Sequence, residues 1–460
     1  MTLKQKTISL LAFHLLLGLI VWKVPMLYTV YLLAVCSWGL LQIHATKDRE
    51  YTAAAYALYI VGSEVIYRMG GATISWELGK YLCIILLGSG IIFRGRSLNQ
   101  IAPFLLYAAL LFPGILLADH PSIGRLREMI VFNLLGPITL AVAGGYFYMQ
   151  AIEKTRFWQL MRIAALPSIT LLTAMSLRVS LSEIDYTTLE SNHAAAGGFG
   201  ANQVSTVIGW FIAIFLLALI HKQRITPWLL LDLGLVGFLT LRGLLTYSRG
   251  GMLAVVVAFA FALTAQFLIN GISQQMLRII RYSMIGLVTI GGVIFYANSM
   301  TNNMLLYRYM GKDTSEVLTG REQDSSLLTG REDLMANELE IFLEYPLLGV
   351  GVGMMGETQR RFESVAKAAH TEFTRLLSEH GSLGLLAILL TFICLPLLHL
   401  PLSIRYDTLI CFIVVLLISL QTMFHAAMRL ALPGVLLGLA FTLFRPEKTN
   451  SKVIPRQPKA

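Results

Sequence analysis

Apolar residues in this chain gather into blocks of roughly 17–22 residues that recur from end to end. About fourteen can be drawn, near 7–22, 25–43, 51–68, 76–93, 99–118, 129–149, 158–178, 203–220, 226–246, 250–270, 279–298, 382–400, 406–425 and 429–444. Each is long enough to cross a ~30 Å hydrocarbon layer as a helix. The pattern predicts an all-α polytopic integral membrane protein of about 12–14 transmembrane helices. The first block is flanked by Lys4 and Lys6 and imitates a secretory signal. No small-residue cleavage site follows, and Trp22-Lys23-Val24-Pro25 leads straight into the second block, so the first is expected to be retained. Blocks 51–68 and 76–93 carry Glu64, Glu77 and Lys80, which leaves open whether each is a full span or a short, tilted or re-entrant segment.

Composition narrows the class further. Of 460 residues, 56% are hydrophobic and only 13% charged, where soluble domains carry about a quarter. Too few charges are present to cover two or three soluble domains, which excludes a soluble enzyme, a secreted disulfide scaffold and a disordered tail protein. Cys36, Cys83, Cys394 and Cys411 all lie inside apolar blocks without metal-ligand spacing and read as small hydrophobes. The net charge of +10 could suggest nucleic acid, but basic residues between spans mark the cytoplasmic side of any inner-membrane protein, and no nucleic-acid partner is expected.

Alternation of the blocks tests that reading. With the N-terminus inside, the inner loops hold Lys47 and Arg49, Arg94 and Arg96, Lys154 and Arg156, Lys222 and Arg224, Arg278 and Arg281, and Arg405. The tail adds Arg445, Lys448, Lys452, Arg456 and Lys459. The outer loops hold only a few cations, among them Lys23, Arg68, Arg125 and Arg127. The expected organisation is N-terminal spans over 1–180, central spans over 181–298, a large outer loop over 299–381, C-terminal spans over 382–444 and a cytoplasmic tail over 445–460. Both termini are then cytoplasmic. The long loop holds about half of the acidic residues and about a fifth of the basic ones, and loops of that length tend to carry function.

Three stretches on the predicted outer face could carry chemistry. In Thr246-Tyr247-Ser248-Arg249-Gly250-Gly251, Ser248 is placed to cap the following helix, with Arg249 in its first turn. An arginine beside free backbone N–H groups makes an anion site, and Gly250-Gly251 would let a ligand approach closely. The alternative is a snorkelling arginine beside packing glycines. In Thr329-Gly330-Arg331-Glu332 the spacing fits a capping box, and the helix it opens is expected to stop before Pro346. Arg331 again brings a cation to a helix start, and Gly349-Val350-Gly351-Val352-Gly353 is expected to be a flexible turn. The pentapeptide Leu-Thr-Gly-Arg-Glu occurs at both 318–322 and 328–332. The third stretch runs from His370 to Gly384, where helical spacing aligns His370, Thr374, Leu377, Gly381 and Gly384. A histidine there suits a general base, although a lone histidine is more often a packing or surface residue. His380 is too far round such a helix to share a metal with His370, and no outer cluster of metal-ligating spacing is present, so no catalytic metal and no cofactor are expected.

At these residues the chain resembles the O-antigen ligase and polymerase superfamily. The signals are Gly198-Phe199-Gly200-Ala201-Asn202-Gln203-Val204, then Ser248-Arg249-Gly250, then Gly330-Arg331 with Pro346 and Gly349-Val350-Gly351, then the His370-to-Gly384 pattern, in family order over about 200 residues. Thr371 stands where the ligase motif usually has Asn, Ser or Gln. The resemblance implies a GT-C-like membrane glycosyltransferase of the bacterial inner membrane, working on the periplasmic face. It implies an undecaprenyl-diphosphate-linked glycan as donor and a lipid A-core, or another glycan, as acceptor, met among membrane lipids. Arg249 and Arg331 would hold the diphosphate and His370 would take the acceptor proton. Ser248, Gly250, Gly330, Asn202 and Gln203 would shape the site, with Arg125, Arg127 and His193 as weaker candidates. A transporter or flippase is the reading from another class. It is disfavoured because transporters place charge in broken, repeated helices near the midplane, whereas the charge here concentrates in the outer loop and no repeat between the two halves is visible.

Overall fold

A computed structural model describes residues 3–71, 73–312, 314–319, 331–359 and 371–445. In chain order the helices are α1 (Leu3–Lys23), α2 (Pro25–Thr46), α3 (Thr52–Met69), α4 (Leu78–Arg94), α5 (Leu98–Leu111), α6 (Pro113–Leu116) and α7 (Ile123–Phe147). Next come α8 (Lys154–Ala165), α9 (Pro167–Arg178), α10 (Ala201–Ile220), α11 (Leu229–Leu245), α12 (Arg249–Asn270) and α13 (Gln274–Met300). The long loop carries α14 (Met304–Tyr309), α15 (Thr314–Thr319), α16 (Arg331–Glu344) and α17 (Met355–Gln359). The chain re-enters the bundle with α18 (Glu372–Ile388), a π-helical stretch (Leu389–Cys394), α19 (Leu395–Arg405), α20 (Leu409–Ala426) and α21 (Leu432–Ala440). Apart from the two-residue strands β1 (Ala151–Ile152) and β2 (Leu443–Phe444), which pair in parallel, regular structure among the described residues is helical.

Every apolar block of the sequence has a helix, and ten helices or helix pairs among the described residues are long and apolar enough to cross a membrane. The protein is therefore an all-α, multi-pass membrane protein. Helix starts follow local chemistry. Pro25 opens α2 and Pro167 opens α9, where the missing N–H costs nothing. Ser97 and Gln100 form a capping box on α5, and the Ser273 hydroxyl accepts from the Met276 N–H at the start of α13.

Blocks 51–68 and 76–93 are continuous helices. In α3 every residue but Tyr56 is buried, against α2, α4, α8, α9, α10 and α21. A helix enclosed by protein needs no lipid-facing surface, so Ala, Gly, Ser and paired charge replace the usual leucines. The pairs are Glu64–Arg68 and Glu77–Lys80.

The last block departs from expectation. Where 429–444 was expected to be a full span, only nine residues are helical, about 14 Å of rise. The segment nevertheless runs the length of the bundle. Near one end Ala431 N–H donates to Glu64 and Arg68 donates to the Arg429 carbonyl. At the other end β2 pairs with β1 beside the Lys154–Asp407 and Arg445–Glu153 ion pairs. Non-helical backbone at membrane depth is tolerated only where protein supplies its hydrogen bonds, and residues 426–444 are buried apart from Arg429.

The two ends of the bundle differ in chemistry. At the basic end Asp48 is buried, bonded to Arg94 and Tyr146, and Arg96 donates to the Gly145 and Tyr148 carbonyls. Burial raises the Asp48 carboxyl above its usual range, opposed by the Ala53 N–H, the Tyr146 hydroxyl and Arg94. The opposite, motif end gathers the starts of α10, α12 and α18 and the C-terminus of α20.

Candidate functional site

Asn202 occupies the first turn of α10 and joins three elements. Its Nδ2 donates to the His425 carbonyl at 2.9 Å, and its Oδ1 accepts from Ser248 Oγ at 3.0 Å. Ser248 Oγ also accepts from Ser205 Oγ at 3.0 Å, and Thr206 Oγ1 lies 3.0 Å from His425 Nε2. Ser248 does hold the N-cap position of α12, but its hydroxyl makes no capping bond and is committed to α10 instead. The expected side-chain cap is thus absent because a tertiary partner competes for the same oxygen.

Gly250 and Gly251 are packing positions. A Cβ on Gly250 would run into the His425 ring, and one on Gly251 into the Ser205 backbone. The room that the sequence suggested for a ligand is filled there by α20 and α10, as the packing-glycine reading proposed. Arg249 extends the other way, and its Nη1 donates to the Arg308 carbonyl of α14 at 3.2 Å. Arg308 Nε in turn donates to the Tyr247 carbonyl. The long loop is thereby laced to the start of α12.

Gln203, next to Asn202, accepts from Arg68 Nη1 at 3.1 Å. Arg68 also reaches Glu64 at 2.6 Å and the Arg429 carbonyl at 2.9 Å. A second buried group lies on α18, where Arg375 is held between Glu372 and Glu379. Glu372 Oε2 accepts from Met428 N–H, which links this group to the same broken segment as Glu64. Glu372, Arg375 and Glu379 lie within the expected outer loop of 299–381, and Glu64 with Arg68 adds buried charge from outside it. Spacing carried a signal for both groups: 64/68 and 372/375/379 are ion-pair spacings on a helix.

The helix from Arg331 ends at Glu344, before Pro346 as expected. Leu334, Glu338 and Ile341 form its buried stripe. The Thr374 hydroxyl of α18 donates to Glu338, and burial pushes that carboxyl up to about 7 against the pull of Thr374 and Arg375. Residues 349–353, expected to be a flexible turn, lie between α18 and α6. Val350 and Gly351 N–H donate to the Ser378 and Glu379 carbonyls, and Val352 N–H to the Gly114 carbonyl. Gly381 breaks the helical geometry of α18 with φ 59°, and a Cβ there would stand 2.6 Å from the Gly349 nitrogen. The face aligned through Thr374, Leu377, Gly381 and Gly384 is interrupted at that residue. Close backbone contact explains these glycines without any ligand.

His370 and Gly330 lie outside the described residues, as do Thr329 and most of the repeated pentapeptide. Arg331 is described only as the first residue of α16. Thr371 is the N-cap of α18, its hydroxyl accepting from the Phe373 N–H. Thr371 supplies the capping oxygen that Asn or Ser would offer at this position. Arg125 and Arg127 are exposed in the first turns of α7, and Arg125 pairs with Glu128. Neither has a hydrogen bond to Asn202 or Ser248 among the described residues. His193 is exposed in the loop before α10, where its carbonyl accepts from Gly198 N–H. His425, Glu64, Arg68, Glu372 and Arg375 complete the motif end without having been selected as site residues.

Residues 234–389, from within α11 to the end of α18, match the family model described as O-antigen ligase. This segment belongs to the O-antigen ligase and polymerase superfamily. The match spans about a third of the chain and includes Ser248, Arg249, Gly250, Gly330, Arg331 and His370. Asn202 and His425 fall outside the O-antigen ligase segment and reach it through Ser248 and Gly250. No curated protein and no solved structure matches the chain.

Proposed function

We propose that this protein is an O-antigen ligase-type glycosyltransferase of the bacterial inner membrane. It moves a glycan from undecaprenyl diphosphate to a hydroxyl of a lipid A-core acceptor. The observation that carries this reading is the position of Arg249. It opens α12 inside the O-antigen ligase segment, and its guanidinium extends to α14 of the long loop at the motif end. In the proposed reaction the acceptor oxygen attacks the anomeric carbon while His370 takes its proton. The anomeric carbon–oxygen bond breaks with inversion, and the diphosphate leaves with its charge on Arg249 and Arg331. Asn202, Gln203, Ser248, Gly250 and Gly330 shape the site, and Arg125 and Arg127 supply outlying positive charge. No metal or cofactor has a role in the step. The motif end faces the periplasm in this reading, and the basic end, with both termini, faces the cytoplasm.

Transporters also use broken helices and buried charge, but the O-antigen ligase match favours transfer over transport. A lipid-linked glycan acceptor in place of lipid A-core would make the same chemistry a polymerase. Purified protein should transfer glycan from an undecaprenyl-diphosphate donor to lipid A-core. Arg249→Ala should lower turnover by roughly 10²–10³-fold, and His370→Ala by roughly 10²–10⁴-fold. Full activity in Arg249→Ala, Arg331→Ala and His370→Ala alike would overturn the mechanism. A deletion strain that makes core bearing a single repeat would assign the polymerase reaction instead.

A further inference from the structure

The basic end holds a cavity of about 250 Å³ lined by residues of α10, α12, α13 and α20, the first residue of α8 and the adjoining links. Its buried wall is apolar: Ile220, Ile279, Leu409 and Ile410. Its charged lining comprises Lys154, Lys222 and Arg278 against a single carboxylate, Asp407. Lys154 lies 3.4 Å from that carboxylate, so the lining carries an excess of two positive charges at neutral pH.

One further lining residue has no structural explanation. Gln266 is 5% exposed and lines the cavity, and its side-chain amide makes no hydrogen bond with any described residue. Its amide is open on the cavity side, where it can hydrogen-bond a ligand. Beside the cavity, the end of α12 and the start of α13 present Leu268, Ile272 and Leu277 outward at 75%, 78% and 51% exposure. Positive donors at the end of transmembrane helices, a buried polar group and an outward apolar surface are what a phospholipid meets with its headgroup and its chains.

We propose that this cavity binds the phosphate of an anionic membrane phospholipid. Arg278, Lys222 and Lys154 bind the phosphate oxygens, the Gln266 amide donates to the headgroup, and the acyl chains lie along Leu268, Ile272 and Leu277. The site is at the opposite end of the bundle from Asn202 and Ser248 and does not depend on the transfer reaction. It would tie α13, which is little buried by the rest of the protein, to α8 and α20.

Lipid binding to the full-length protein in detergent, read by native mass spectrometry and by thermal unfolding, tests the site. Phosphatidylglycerol is expected to form a retained one-to-one adduct and raise Tm, and phosphatidylcholine is not. Lys222→Gln with Arg278→Gln should weaken phosphatidylglycerol binding by roughly thirtyfold. Gln266→Leu, which keeps every charge, should weaken it several-fold. Arg49→Gln with Arg405→Gln, exposed cations elsewhere on the same end, should leave it unchanged. Equal loss in this control pair would mean general surface attraction and would overturn the site. An equal Tm rise with inorganic phosphate alone would overturn the lipid assignment. So would equal binding of phosphatidylcholine, or phosphatidylglycerol binding that is unaltered in the Lys222/Arg278 double variant.

Discussion

Ser248 donates its hydroxyl to Asn202 Oδ1 at 3.0 Å, so the residue that begins α12 is bonded to α10 rather than to its own helix. A capping serine needs only to accept, whereas this one must also donate. Ser248→Asp, favourable at an ordinary N-cap, should therefore destabilise the protein as much as Ser248→Ala or more. The loss should be roughly 1–3 kcal/mol from the unpaired Asn202 oxygen. Ser248→Thr keeps the hydroxyl and should be milder. Thermal unfolding in detergent checks the order, and an Asp variant as stable as the parent would refute it.

The crossing of α10 and α12 depends on Gly251, where a Cβ would enter the Ser205 backbone. Gly251→Ala must push two helices apart and should cost about 3 kcal/mol, the upper end of the usual overpacking range. A lowered Tm or a loss of monodisperse protein in size-exclusion chromatography is the expected result. Gly88→Ala meets nothing within 4 Å and serves as the tolerated control.

Glu64 holds both Arg68 and the Ala431 N–H. Glu64→Leu strips a buried cation of its partner and a broken helix of its acceptor, and should cost about 3–5 kcal/mol. Glu64→Gln keeps an acceptor oxygen for Ala431 and should cost less. Equal unfolding temperatures for the two variants would show that the Ala431 bond contributes nothing.

Glu338 makes the docking of α16 on α18 pH-dependent. Its carboxyl is raised by burial from 4.5 to about 7, so folding favours the protonated form. The stabilisation is fully present below about pH 4.5 and is lost as pH rises through about 7. Wild-type Tm should fall from about pH 4.5 to about 7 and level off above, and Glu338→Gln should flatten that slope. Parallel pH profiles for the two proteins would count against the assignment.

The sequence by itself determined the class and most of the limits of the helical blocks. Transfer of an apolar stretch into hydrocarbon is a local property, readable over about 20 residues. Local grammar likewise placed Ser248 before α12 and ended α16 before Pro346. Only the tertiary structure decided which residues share the motif end. The Ser248 hydroxyl had two possible partners, and the choice of Asn202 over its own helix depends on the α10–α12 crossing. Glu64 and Glu372 lie far apart in sequence yet bond to Ala431 and Met428 of one broken segment. The 429–444 block is as apolar as a full span, but enclosure by protein satisfies its backbone and allows it to be non-helical at both ends. Hydrophobicity acts residue by residue and is written along the chain, whereas hydrogen-bond partners and charge pairs exist only once helices distant in sequence have packed.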